Sequence, residues 1–522
     1  MRPVPAPGLS FPLGQGVVTL RPDGTIAGVL ADPAAATSYL DGGGRVTVRL
    51  DGVEAEWSDT SVAADVDEVE FRYLGRNDLG LIVRHSFSGG WAIRVTLLNH
   101  TLEPLSVVAE LAWAPAATSP ARALAAGATG AYAVPGPDGT VPVLGGELVL
   151  GTCDAISTKG IGLGPITLGP LGRHVVQWRW DLFDHALAFG HARFPSVPRD
   201  LVLPAGDMAL IAADDDEAVV TPGLDLLRRG GELELLSSVP QRVAVQVSSS
   251  HGVTVYDMEW VAPLDEMLID IGEPLLAGPR NRAGLLRLAD LNAAMVAQRL
   301  LTIGAAGAPD DVDDALRLFS SRLEHGAVTD GRGVAFLCGE FERLGEEDLL
   351  ERATAVLLEL AGPFPGLGLA TIQVCMARLT LGWPVEPLLT RLRALSAADD
   401  PGAALGQTAV ALELCLVAAP RSAGTVGLDD LQRAEEWSSR LAAGLGAGLP
   451  GRPVRPLPVD QQAYLATVLG LLPEPLGSRI RPDWGCRPHD VARRAQAEAL
   501  AQLGRQPPRA AHSWLIMGAR LA

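Results

Sequence analysis

Near the C-terminus runs Arg481-Pro482-Asp483-Trp484-Gly485-Cys486-Arg487-Pro488-His489-Asp490, which places carboxylates, an indole, guanidinium groups and an imidazole side by side. Segments that join regular elements collect binding and catalytic groups. Asp483 has the chemistry of a general base, Trp484 offers a flat apolar face, and Arg487 and His489 supply donors for a substrate. The plainer alternative is that Pro488 opens a helix and Trp484 fills the core. A second polar segment, Glu324-His325-Gly326-Ala327-Val328-Thr329-Asp330-Gly331-Arg332-Gly333, precedes Cys338-Gly339-Glu340-Phe341-Glu342. Cleaving a glycosidic bond needs two carboxyl groups across a cleft, one of them protonated. Glu340 or Asp330 is of the type to partner Asp483. Glu342, Glu346, Glu347 and Asp348 read instead as a solvated helix start.

Other clusters carry less. Asp181-Leu182-Phe183-Asp184-His185 with His191 holds metal-capable types at no standard spacing, so no metal site is expected. Gly160-Ile161-Gly162-Leu163-Gly164 is not followed by a helical pattern and makes a poor phosphate cradle. There is no Gly-x-Ser-x-Gly elbow and no His-Glu-x-x-His. Lys159 is the only lysine, and its surroundings fit neither a P-loop nor a Schiff-base site. No cofactor is expected. Cys153, Cys338, Cys375, Cys415 and Cys486 show no metal-knuckle spacing and read as free thiols.

The elements that must position these groups come in two kinds. From Val17 to about Ile271 the apolar period is two, as in Arg45-Val46-Thr47-Val48-Arg49-Leu50 before the turn Asp51-Gly52. Similar strands are expected at 68–74, 81–87, 91–98, 105–113, 174–180, 242–248 and 253–256. Many short strands with Gly, Pro, Asp and Asn turns predict a large antiparallel β-sandwich. Gly272 to Arg282, with Gly272, Pro274, Gly278 and Pro279, reads as a linker. From Ala283 the period becomes 3.6. The first helix is expected to begin at Leu285 and Leu286, and about eleven helices follow to the end. No fixed repeat is visible, which leaves a compact bundle, a solenoid or a closed α/α toroid. The expected division is a β domain over 1–275 and an all-helical domain over 283–522.

Composition bounds the partners. The chain has 522 residues and a net charge of −19, with 61 acidic against 42 basic residues. That field repels phosphate backbones and anionic lipid, so neither nucleic acid nor a membrane is an expected partner. Arg378 and Glu413 interrupt the longest apolar stretches. The proline-rich start, Met1-Arg2-Pro3-Val4-Pro5-Ala6-Pro7, is no signal peptide, which makes the cytoplasm the expected location.

A β-sandwich followed by a helical toroid resembles bacterial glucoamylases, inverting disaccharide phosphorylases and glycogen-debranching enzymes. Gly14 to Ile26, where an apolar strand turns at Asp23-Gly24, is similar to their opening hairpin. Ile93 to His100 followed by Leu105 to Leu111 resembles a later one. The resemblance implies a carbohydrate-active protein, acting on α-glucans by acid/base hydrolysis, with an oligosaccharide as ligand. Two features depart from those enzymes: a helical half that is short for twelve helices, and an aromatic content of only 5%. They favour the alternative of a non-catalytic scaffold or subunit derived from such an enzyme, bound to a protein partner or to a second copy of itself.

Overall fold

The computed structural model describes residues 8–521 apart from 35–37, 76–77, 117–118, 137–141, 158–159, 194–196, 199, 213–217, 221–222, 230, 250–251, 283, 324–329, 360–361, 396–403, 419–427 and 474–485. The first half is β-structure. Trp91–Asn99 buries every second residue, as alternation demands of a strand with one face in a core. It lies antiparallel between Leu79–Ser86 and Arg173–Phe183. An eight-stranded and a nine-stranded sheet share one apolar core. Trp91, Trp113, Trp178, Trp180 and Tyr132 are fully buried in it, with Trp113 and Trp180 rings 4.7 Å apart at their centroids. Much of the aromatic mass of the chain is therefore structural.

Two smaller sheets follow, one of four strands and one of three. Their inward residues, such as Leu233, Leu235, Val245, Met258 and Trp260, belong to the same core as the helices, not to that of the sandwich. The change of element type and the change of core thus fall at different places in the chain. The stretch 272–282, expected as a linker, is helical as far as Leu276, with Pro274 inside the helix. Gly272 is there for packing: a Cβ on it would stand 2.4 Å from Leu300 Cδ1. The next helix begins at Leu291 behind the Asp290 cap, later than the leucine spacing suggests.

Thirteen helices are present among the described residues. One, α1 (Ala186–Arg193), lies in the β half. The rest are α2 (Leu264–Leu276), α3 (Leu291–Thr302), α4 (Pro309–Arg322), α5 (Gly331–Leu344), α6 (Glu347–Glu359) and α7 (Leu367–Thr380), then α8 (Glu386–Ala394), α9 (Leu405–Ala418), α10 (Leu428–Gly444), α11 (Val459–Gly470), α12 (Pro488–Leu503) and α13 (Ala510–Leu521). The packing order answers the choice between bundle, solenoid and toroid. Helix α3 packs on α5, α5 on α7, α7 on α9, α9 on α11 and α11 on α13, and α13 returns to α3. The even-numbered helices lie outside, α2 and α4 on α3, α6 on α5, α10 on α9, α12 on α11. This is a closed α/α toroid. Its twelve helices, of 9 to 17 residues, have ordinary lengths, so the helical half is long enough for a full ring.

The inner helices are parallel. Asn292, Arg332 and Ser513, all in first turns, bond to one another, while Gln298, Glu340 and Arg520 do so near the other ends. The strand Arg452–Pro453, between α10 and α11, pairs with Arg122–Ala123 and becomes an edge of the nine-stranded sheet. Beside it the buried Arg122 guanidinium bonds to Glu498 of α12 and to the Gly451 carbonyl. A buried pair of this kind fixes register, because breaking it strands a charge. The sandwich is thereby held at the N-terminal mouth of the ring. No helix among the described residues is long and apolar enough to cross a membrane.

Candidate functional site

Six parallel inner helices bring six positive dipole ends to one mouth. The protein meets several of them with its own carboxylates. Asp290 accepts from Ala293 N–H at 2.9 Å on α3, and Asp330 from Arg332 N–H at 2.9 Å on α5. Asp460 accepts from Ala511 N–H at 2.9 Å on α13. Glu413, reaching from α9, takes the N–H groups of Gly366, Gly368 and Leu369 at the start of α7, and the Tyr464 hydroxyl donates to it.

At the centre of this mouth Trp514 crosses the ring from α13 to the opposite helix, α7. Its ring lies 4.8 Å from Tyr464, and the Arg332 guanidinium sits over it at 5.3 Å. Gly366 must be glycine twice over: its φ is +81°, and a Cβ would stand 2.6 Å from Trp514 Cζ3. Above this plug Arg332 binds both Asp330 oxygens and donates to Asn292 Oδ1 at 2.8 Å, which also accepts from Ser513 Oγ at 3.1 Å. Asp460 receives a fork from Arg509 at 2.9 Å on each oxygen. Arg332 thus has two carboxylates in its field, bonded Asp330 and the nearby Asp460.

The electrostatics follow from depth. Burial pushes the Asp460 carboxyl up, but Arg509, the Ala511 N–H and the Arg332 charge more than offset it and hold it below the usual range. Glu413 is wholly buried, and burial outweighs its four donors, pushing it up to about 7. Burial and the Glu413 charge lift the Tyr464 phenol well above its ordinary value. His512 is fully buried; its Nδ1 accepts from Arg509 N–H, its Nε2 has no partner, and burial takes it down to about 4. The mouth therefore offers the Asp330 and Asp460 carboxyl groups, a guanidinium and an amide, all partly buried, over a buried aromatic plug.

The sequence candidates scatter around this arrangement. Asp330 stands in it. Glu340 does not: it is 0% exposed, held by Arg343 at 2.6 Å and Gln298 at 2.6 Å near the other end of α5. Ten helical positions separate it from Asp330, about 15 Å of rise, beyond the ~6.5–9.5 Å of an inverting pair. Asp483 and Trp484 lie outside the described residues. Arg487 caps α12, its N–H bonded to Asp490 at 2.9 Å, and His489 is half-buried in the first turn. Helix α12 runs antiparallel to α11, since Gln462 meets Glu498 while Gly470 meets Ala492. Arg487 and His489 therefore stand at the C-terminal mouth, opposite Asp330. That mouth holds a cavity of about 470 Å³ lined by Arg299, Asp310, Asp313, Glu342, Arg343 and Arg520.

Sequence reasoning missed Asn292, Arg332, Glu413, Asp460, Tyr464 and Trp514. Only the closed ring brings them together; a helix start at Asp460 and the Asp330-Gly331-Arg332 turn were the visible traces. No group of His, Cys, Asp and Glu among the described residues could hold a metal ion, and none of the five cysteines forms a disulfide.

No protein-family model matches the chain, and no curated protein does. Among solved structures, a polysaccharide lyase overlays with a TM-score of 0.65 at 10% identity, covering 95% of this chain and 92% of that one. A protein described as a kojibiose phosphorylase from human microbiome reaches a TM-score of 0.24 at 8% identity, over 98% of this chain and 86% of its own. An alpha-2-macroglobulin of Salmonella reaches 0.25 at 11%, over 100% of this chain and 51% of its own. The last two overlays are too loose to bear on the fold. From sandwich to ring, the chain shares its fold with the polysaccharide lyase.

Proposed function

We propose that this protein is carbohydrate-active and that its saccharide docks at the N-terminal mouth of the ring, on Asp330, Arg332 and Asn292. The observation that carries the reading is this polar triad, planar groups fixed in mutual hydrogen bonds over Trp514. Rigid carboxylate, guanidinium and amide groups suit the vicinal hydroxyls of a sugar. The whole-length likeness to a polysaccharide lyase supports a polymeric saccharide. Carboxylates of the protein already meet the dipoles of α3, α5, α7 and α13. This favours a neutral glycan over a phosphorylated one, and α-glucans head the list. For hydrolysis, Asp330 and Asp460, both in the field of Arg332, are the carboxyl groups to test, with Asp460, held low by Arg509, the Ala511 N–H and Arg332, in the base role.

Titration with maltooligosaccharides, with a reducing-end assay alongside, tests the reading. Asp330→Asn is expected to weaken binding about tenfold, one charged hydrogen bond's worth. No binding at millimolar oligosaccharide rejects it. One observation favours a second reading, a binding protein without turnover: Asp330, Asp460 and Glu413 are all committed to internal partners. Binding with no bond cleavage would select it.

A further inference from the structure

The three-stranded sheet, Met208–Ala212, Glu232–Leu236 and Asp225–Arg229 in that spatial order, ends on the strand Asp225-Leu226-Leu227-Arg228-Arg229. Except at the half-buried Arg228 this strand is exposed, with Leu226 at 41% and Leu227 at 57%. Pairing sets its faces. Leu227 and Leu210 both stand opposite Glu234, and Asp225 and Met208 both stand opposite Leu236. Asp225, Leu227 and Arg229 therefore share one face with Leu210 and Met208, which are 48% and 49% exposed. An exposed strand at a sheet edge is a template for pairing.

The sequence of the strand says with what. Laid antiparallel to a second copy about a two-fold axis at Leu227, Asp225 faces the other copy's Arg229 twice over, and Leu227 faces Leu227. The hydrogen-bond pattern selects the same register. Arg229 pairs with Glu232 across a two-residue hairpin, so positions 229, 227 and 225 direct their peptide groups to the partner strand within the sheet. Positions 226 and 228 direct theirs outward, and the axis at Leu227 sets 226 opposite 228. The charged and leucine pairs then fall at non-hydrogen-bonded sites, where opposing side chains come closest. An axis at 228 would set Leu227 against Arg229, and an axis at 226 would lose both ion pairs.

We propose that this edge is a homodimer interface, in which two copies join their three-stranded sheets into one of six strands. The Leu227 side chains of both copies meet at its centre, while Met208 and Leu210 lie on the same face of the joined sheet, two strands further out in each copy. So short an edge places the interface at the small end of the specific range, with an affinity near micromolar. Sedimentation velocity on the full chain from about 1 to about 100 μM tests it. The wild type is expected to shift reversibly from monomer to dimer. Asp225→Arg, which sets Arg against Arg at both ends, is expected to raise the dimer dissociation constant more than tenfold. Arg229→Asp does the same with acidic pairs, and the double variant D225R/R229D restores the dimer. All these positions are exposed, and circular dichroism checks that each variant is folded. A wild type monomeric throughout, a D225R chain that dimerises as before, or a double variant that stays monomeric each overturns the proposal.

Discussion

Replacing Glu413 by glutamine tests how dry the ring's plug is. Glu413 is 1% exposed and receives the N–H groups of Gly366, Gly368 and Leu369 and the Tyr464 hydroxyl. Two effects oppose. Four converging donors favour the carboxylate, and burial disfavours it, with burial ahead and the carboxyl pushed up from 4.5 to about 7. A carboxyl with a raised folded-state value binds its proton more tightly when folded. Its contribution is greatest at low pH and declines as pH rises between about 4.5 and about 7. The size is about 3 kcal/mol. In the wild type this decline is masked, because buried His85 and His512, each brought down to about 4, add stability over part of the same range. The glutamine variant isolates it. At pH 5 the wild-type group is neutral, and Glu413→Gln changes little beyond one donor–acceptor mismatch. At pH 8 the wild type carries the buried charge, and the variant should gain on it by up to about 3 kcal/mol. Urea unfolding of both proteins at the two pH values reads the difference. A variant that loses more stability at pH 8 than at pH 5 would mean that the four donors win, and the burial argument would be refuted.

Three further outcomes follow from the same mouth. Trp514→Ala removes the side chain that spans the ring from α13 to α7; calorimetry should show a loss of about 3–5 kcal/mol, the range for a large buried aromatic. Gly366→Ala meets both a left-handed backbone and the Trp514 ring at 2.6 Å, so its unfolding midpoint in urea should fall clearly, by more than the ~1 kcal/mol of a strained turn position alone. His512, neutral when folded and brought down to about 4 from 6.5, contributes stability that is present above pH 6.5 and lost as pH falls towards 4; His512→Gln should flatten that part of the stability–pH curve, and an unchanged slope would place the imidazole in contact with water.

Alternating strands such as Ser38–Leu50 and Trp91–Asn99 were legible because one face of each is buried and the other is not. Helix α2 was hidden by Gly272 and Pro274, which punctuate a sequence; here Gly272 allows close packing on α3, and Pro274 falls within the helix, in its last turn. Ring closure was illegible, because the return of α13 to α3 joins residues more than 200 apart, and no local period carries that. The site shows the same limit. Asp330 stood out as a polar residue at a helix start. Arg332, Asn292, Ser513 and Asp460 look like ordinary first-turn residues until parallel inner helices bring them to one face. Glu340, singled out as a possible partner for Asp483, lies on an inner helix and faces Gln298 and Arg343, a placement that its local sequence does not carry.

Whether a saccharide docks at the mouth built by Asp330, Arg332 and Asn292 is decided most directly by a crystal of the full chain soaked in maltooligosaccharide. The geometry calls for sugar density over that triad, at the end of the ring joined to the sandwich by Arg452–Pro453. Density confined to the opposite mouth, in the cavity beside Arg343 and Arg520, or none at millimolar sugar, would contradict it.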